Sequence, residues 1–312
     1  MKGNILITDE VHPILPEGLE QNGFKVNYQP KIVPEQVLAI IHDYEGLIVN
    51  SKVYVGKEIL DKAVKLKFVC RAGSGLEVID LEYAKLKNIK CFNAPEGNRV
   101  AVAEHALGML LSQMNNITKA DAEVRNYKWQ REENRGHELT GKTVGLIAYG
   151  NNAQAFAKVL RGFDVKILAY DKYYHHFTDE HVTEASLEQI YEEADVLSLH
   201  LPLTPETTYM IDHKFLSSFK KSVWLINTSR GKVLNTGDLI RSMQEGKVIA
   251  AALDVLENEK LNNLNEHEKQ FFDQLISSKN ILLTPHIAGW THESKRRIAQ
   301  VLLHKIRSIY SV

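Results

Sequence analysis

The feature that most constrains this chain is a repeated alternation of short apolar runs with amphipathic stretches long enough to be helices. Residues 4–8, 24–28, 46–49, 67–70 and 89–93 form one set of runs. Residues 143–148, 165–170, 196–199, 223–227, 248–253 and 281–283 form a second. A run, a helix and another run make a βαβ unit, and successive units build a parallel sheet covered by helices on both faces. Six runs suffice for a complete doubly wound sheet. At 312 residues, 44% of them hydrophobic, the chain is too long for one core and can bury two.

Between the sets lies an apolar helix over about residues 100–114, then a charged stretch over 115–140. The helix reads as a crossing between domains. The stretch is too long for a plain loop and is either an arm lying against a second subunit or a solvated helical excursion. An apolar helix over about 294–310 follows the last run and is expected to return to the first domain. The expected division is therefore residues 1–97 with 286–312 in one domain, and 98–285 in the other.

Lys and Arg total 38 against 39 Asp and Glu, which offers no basic face for nucleic acid and no polybasic membrane anchor. The opening MKGNILITDE lacks the apolar core of a signal peptide, and no run reaches transmembrane length. Cys70 and Cys91 each sit in an apolar run, suiting a reducing, cytoplasmic setting better than a disulfide framework. His175, His176 and His181 lack partners at recognisable metal-ligand spacing, so a polar surface segment is expected and no metal. The expected partners are a small-molecule substrate and a second copy of the chain.

The string TVGLIAYGNNA (143–153) is a buried run, a small-residue turn and a helix start. A dinucleotide-binding domain places G-x-G-x-x-G here, but this chain has Ala148, Gly150 and Ala153. The third position tolerates Ala; the first is normally Gly for the tight turn. Asp171 ends the next run about 20 residues beyond Gly150, the spacing of an acid that accepts hydrogen bonds from the adenosine ribose. Its charge would repel a 2′-phosphate, favouring NAD over NADP, and the adjacent Lys172 softens that preference.

In open α/β sheets ligands bind beyond the carboxyl ends of the strands. There the second set offers Thr228-Ser229-Arg230-Gly231, then Asp254 through Glu259, then Thr284-Pro285-His286. Singly, Arg230 reads as a loop cation, Glu259 as part of an acidic surface run and His286 as a capped loop histidine. Together they would converge on one rim.

These strings, with RAGSGLEVIDLEYA (71–84), VAEHALGMLL (102–111), HLPLTPET (200–207), INTSRG (226–231), ALDVLENE (252–259) and TPHIAG (284–289), resemble the D-isomer-specific 2-hydroxyacid dehydrogenase family over nearly the whole chain. The resemblance implies two doubly wound parallel-sheet domains, a flavodoxin-like substrate domain and a Rossmann NAD-binding domain. It implies His286 as acid/base, Glu259 as its partner and Arg230 as the grip on the substrate carboxylate and keto oxygen. NAD contacts are implied for Tyr149, Gly150, Asn151, Asn152, Asp171, His200, Pro202, Thr207, Thr228, Asp254 and Gly289. The chemistry agrees. Reducing a keto acid needs a hydride source, a proton for the developing alkoxide and a positive charge facing that oxygen. A carboxylate beside an imidazole orients the ring, and a guanidinium binds a carboxylate through two parallel hydrogen bonds.

Residues Gly73, Ser74 and Gly75 form a turn whose N–H groups can hold an anion, and the resemblance implies that it contacts the substrate carboxylate. Arg71 before it matches the 3-phosphoglycerate dehydrogenase branch, which meets the substrate phosphate there with an arginine. That branch's second phosphate-facing arginine falls at Asn50, and Lys52 is the candidate replacement. The expected substrate pair is 3-phosphoglycerate and 3-phosphohydroxypyruvate, placing the chain in serine biosynthesis. The alternatives are a reductase of glyoxylate, hydroxypyruvate or another short keto acid, and an NAD-sensing binding protein without turnover. The regulatory domains of some phosphoglycerate dehydrogenases are not expected. Lys260, where the family often has proline, and Trp290 beside the catalytic loop are further departures.

Overall fold

A computed structural model describes residues 2–310 and divides into two compact units, Met1–Arg99 with Trp290–Val312, and Val100–Gly289. The first unit runs β1 (Lys2–Ile7), α1 (Ile14–Gln21), β2 (Phe24–Tyr28), α2 (Pro34–Ile40), β3 (Gly46–Val49), α3 (Lys57–Lys62), β4 (Phe68–Arg71), α4 (Leu81–Leu86) and β5 (Lys90–Phe92). Helix α5 (Pro95–Met114) carries the chain into the second unit. There follow α6 (Ile117–Arg125), β6 (Thr143–Ile147), α7 (Asn151–Leu160), β7 (Lys166–Tyr170), β8 (Val182–Glu184), α8 (Leu187–Glu193), β9 (Val196–Leu199), α9 (His213–Ser217), β10 (Val223–Asn227), α10 (Thr236–Gln244), β11 (Val248–Leu253), α11 (Glu266–Ser277) and β12 (Ile281–Leu283). Helix α12 (His292–Tyr310) belongs to the first unit.

The first sheet has the order β2-β1-β3-β4-β5 and is parallel throughout, the flavodoxin-like arrangement. Strand β3 is buried at every position, as a strand covered on both faces must be. One face packs Leu6, Val37, Ile41, Leu47, Val49 and Val69. The other packs Ile5, Ile7, Leu15, Leu19, Ile48 and Phe68 beneath Ala299, Leu302, Leu303 and Ile306 of α12. Those four recur at the three- and four-residue spacing of one helix face. Leu302 and Ile306 have no exposed surface, and burial of each contributes about 1.5–3 kcal/mol.

The second sheet has the order β12-β11-β10-β9-β6-β7-β8, again parallel. Chain direction across it reverses between β6 and β9, the switch point where α/β sheets open a crevice for ligands. The apolar runs of the sequence correspond to every strand except β8. Among the described residues that three-residue strand pairs with β7 alone and runs buried, exposed, half-buried, so no apolar run announces it.

The charged stretch contains α6 and a single 3-10 turn at Glu132–Asn134, neither with a buried residue. Tyr127 is fully exposed and Trp129 is 79% exposed. The His137 amide then donates to Met114 O at 2.8 Å, and its ring meets the Trp224 ring edge-on at 5.3 Å. Both cysteines are free thiols, Cys70 buried and Cys91 half-buried. Among the described residues no helix is long and apolar enough to cross a membrane, and no three His, Cys, Asp or Glu side chains gather as a metal site would require.

Candidate active site

Strand β6, buried at all five positions, ends in a turn that puts Ala148 at φ +70°. That is the left-handed region, which explains why a glycine is the usual occupant. The turn holds because Ala148 N donates to Tyr170 O at 2.8 Å and Tyr149 N to Asp171 Oδ2 at 2.8 Å. Gly150 then caps α7, with Asn151 and Asn152 in its first turn. A Cβ added at Gly150 would meet no protein atom, so the glycine leaves open surface at a helix N-terminus, where a diphosphate is stabilised by N–H groups and the helix dipole.

Asp171 follows β7. Its Oδ1 accepts from Tyr173 N and Tyr174 N, both at 2.9 Å. Burial works against its charge, but the three amides of Tyr149, Tyr173 and Tyr174 outweigh it and hold the carboxyl below the ordinary range. The Tyr149 ring stacks on Phe177 at 4.5 Å, and Phe177 on Tyr174 at 5.2 Å.

His200 follows β9. Its Nε2 lies 3.0 Å from Ser198 Oγ, and the protein packed round the ring pushes its pKa down to about 3, so the imidazole is neutral. The Thr207 hydroxyl donates to Pro202 O at 2.6 Å and accepts from Thr204 N at 2.9 Å, which fixes the 202–207 turn. Thr228 is buried after β10. Its Oγ1 and Asn152 Oδ1 are buried polar atoms with no protein partner, leaving two unmet hydrogen-bonding groups among the residues expected to meet NAD. The residues present therefore fit a dinucleotide: an open glycine at a helix start, an acid on the next strand and orphaned polar atoms facing no protein group.

The chemistry-bearing residues lie on the neighbouring strand ends. Asn227, fully buried, accepts from Ser229 N and Ser229 Oγ and donates to Arg230 O at 3.0 Å, stapling the loop that carries Arg230. The Arg230 Nη1 donates to Ser229 O at 2.7 Å. A Cβ at Gly231 would fall 1.9 Å from Leu256 O, so only glycine lets this loop pack against the one leading to Glu259. His286 Nδ1 lies 2.9 Å from both Glu259 carboxylate oxygens. An Nδ1–H donated to that carboxylate leaves Nε2 for a substrate. Both side chains are about half exposed.

His286 itself adopts φ +55°, and Asp254, only 1% exposed, holds it there. His286 N donates to Asp254 O at 2.8 Å and to Thr284 O at 3.0 Å. The Asp254 carboxylate accepts from Thr284 Oγ1 at 2.6 Å, Ile287 N at 2.9 Å and Ala288 N at 2.9 Å. His105 Nε2 of α5 lies 3.1 Å from Thr284 Oγ1. Asp254, expected as a cofactor contact, holds the loop that carries His286. Asn227, His105 and Thr284 lie in the strings INTSRG, VAEHALGMLL and TPHIAG, but those strings do not show that Asn227 staples the Arg230 loop or that Thr284 links His105 to Asp254. Gly289 is the last residue of this unit.

In the first unit, Arg71 ends β4 and its side chain folds back over the following turn. A Cβ at Gly73 would fall 1.8 Å from Arg71 Nη1, and Arg71 Nε donates to Asn50 O at 3.3 Å. The turn is tied down by Ala94 N to Gly73 O at 2.8 Å, Asn93 Nδ2 to Ser74 O at 2.5 Å and Ser74 Oγ to Asn98 Oδ1 at 2.6 Å; Gly75 completes it. Asn50 N donates to Asp9 Oδ2 at 3.0 Å. The Lys52 ammonium is tied to Pro30 O at 2.5 Å, while Asn50 offers Arg71 its backbone carbonyl.

Residues 107–288 match the family model of the D-isomer specific 2-hydroxyacid dehydrogenase NAD binding domain. The chain is 36% identical to a hydroxypyruvate reductase of Thermotoga maritima over 272 residues, 87% of each chain. It is 32% identical over 308 residues to a D-3-phosphoglycerate dehydrogenase of Methanocaldococcus jannaschii, covering 98% of this chain and 57% of that one. The human D-3-phosphoglycerate dehydrogenase is 31% identical, covering 95% and 54%. The chain thus spans little more than half of these two dehydrogenases. Among solved structures, D-lactate dehydrogenase from Aquifex aeolicus, complexed with NAD and lactic acid, superposes with a TM-score of 0.83 at 28% identity, covering 99% and 95%.

Proposed function

Because the chain belongs to the family of D-isomer-specific 2-hydroxyacid dehydrogenases, we propose that it interconverts 3-phosphohydroxypyruvate and D-3-phosphoglycerate with NAD(H). Bound NADH supplies the hydride for the reduction. His286 donates the proton from Nε2 to the developing alkoxide, its ring held by Glu259 at Nδ1. Arg230 binds the substrate carboxylate and stabilises charge on the keto oxygen. In the first unit the turn Gly73, Ser74 and Gly75 offers an anion the N–H groups of Ser74 and Gly75, that of Gly73 being donated to Arg71 O at 2.8 Å. Tyr149, Gly150, Asn151, Asn152, Asp171, His200, Pro202, Thr207, Thr228, Asp254 and Gly289 hold the dinucleotide.

The observation that carries the phosphorylated substrate is the Arg71 guanidinium lying over Gly73, a fixed cation beside an anion-holding turn. The reading places the chain in serine biosynthesis as a cytoplasmic homodimer. The exposed Tyr127 and Trp129 favour a subunit contact there, since large exposed aromatics mark interfaces. A second reading, reduction of hydroxypyruvate itself, is favoured by the Thermotoga maritima relative and by Lys52, which is bound to Pro30 O where a second phosphate-facing cation is expected. NADH oxidation with 3-phosphohydroxypyruvate, hydroxypyruvate, glyoxylate and pyruvate separates the two. Preference for the phosphorylated acid, lost by about ten-fold or more in Arg71→Ala, is expected, since a charge-assisted contact is worth about 1.5–3 kcal/mol. Equal or better use of hydroxypyruvate would select the second reading.

A further inference from the structure

Asp171 has little acceptor capacity left for a ribose. A carboxylate offers about four lone-pair sites, and three are taken by the amides of Tyr149, Tyr173 and Tyr174. One remains, on Oδ2, enough for one hydroxyl. The charge of Asp171 still repels a 2′-phosphate, and the charges packed around it add to that repulsion or offset it. The adjacent Lys172 is a cation at the end of the ribose-facing strand, the position from which a basic side chain accommodates a 2′-phosphate. Its ammonium is paired with Glu206 Oε1, and the other oxygen, Oε2, accepts from Tyr173 Oη at 2.6 Å. Glu206 comes from the 202–207 turn that the Thr207 hydroxyl fixes, so its carboxylate is presented by a built loop.

We propose that Glu206 tunes this chain's choice between the two nicotinamide dinucleotides, by occupying Lys172 and so withholding that cation from a 2′-phosphate. Asp171, Lys172 and Glu206 together leave a net negative charge at the corner where that phosphate would sit. Removing Glu206 makes the corner neutral and releases the ammonium. Both partners are about half exposed, and such pairs contribute little to folding stability, so the contact can be broken without unfolding the protein.

The proposal rests on the ribose lying beside Asp171 but not on any choice of substrate, and direct binding tests it. NADH and NADPH are titrated into wild type, Glu206→Gln and the double variant Glu206→Gln/Lys172→Ala, with affinities read by calorimetry. The ratio of NADPH to NADH affinity is expected to rise about ten-fold in Glu206→Gln, because a repelling charge is removed and an attracting one released. It should fall back in the double variant, and raised salt should shrink the gain. An unchanged ratio in Glu206→Gln, or a gain that survives loss of Lys172, would overturn the proposal. Asp171→Ala checks the ribose placement separately: it should weaken NADH binding in both Glu206 backgrounds.

Discussion

Two strand-end turns of the candidate site put a non-glycine residue at positive φ, Ala148 at +70° and His286 at +55°, and they are held in different ways. The Ala148 turn rests on one backbone contact to the next strand, Ala148 N on Tyr170 O, and on one amide, Tyr149 N, held by the carboxylate of the half-buried Asp171. Its methyl group gains nothing from the left-handed conformation, which costs an L-residue about 1–2 kcal/mol. The His286 turn is gripped from inside by a buried aspartate, with the amides of residues 286–288 all donating to Asp254. Strain persists where the surroundings over-determine it. At His286 it aims an imidazole at Glu259; at Ala148 it is the cost of one missing glycine.

The comparison breaks most readily at His286. His286→Ala should cut turnover by about 10²–10⁴ while NADH titration shows binding retained; near-normal turnover would remove the residue from acid/base work. Asp254→Ala should come next. It leaves the Thr284 hydroxyl and two amides without their acceptor, at about 1–3 kcal/mol for each group that stays unsatisfied. Urea unfolding should therefore show about 3 kcal/mol lost, and stability equal to wild type would mean that the loop does not depend on this carboxylate. The smallest effect belongs to the other turn. Ala148→Gly relieves the strained φ but adds chain entropy to the unfolded state, so a net gain of about 0.5–1 kcal/mol is expected. A fall in melting temperature would show that the Ala148 turn depends on its side chain no less than the His286 turn does.

The two sheets were legible because strands buried on both faces must be written as unbroken apolar runs. Strand β8 was not, since three residues at a sheet edge need no such run. Arg230, Glu259 and His286 could be read as residues just beyond strands, where open α/β sheets place their ligands. The supporting roles of their neighbours could not, although Asn227, Asp254 and Thr284 all fall within the strings read from the sequence. Asn227, Asp254 and Thr284 are ordinary polar residues whose importance lies in partners they meet only once folded, such as His105, which reaches Thr284 across 179 positions. Asp171 shows the same limit: its spacing suggested a ribose contact, but not that three amides already occupy most of its carboxylate.

The place of α12 has a consequence for how the protein is made. Its residues 299–306 complete one face of the first sheet, yet they leave the ribosome only after the whole of 100–289. The second unit is continuous in the chain and can fold as soon as it has emerged. The first must wait, with Ile5, Leu15 and Phe68 lacking their cover through the synthesis of nearly two hundred further residues. Translation thus finishes the later-starting unit first, and the nascent chain is most vulnerable to aggregation at the apolar face it made earliest.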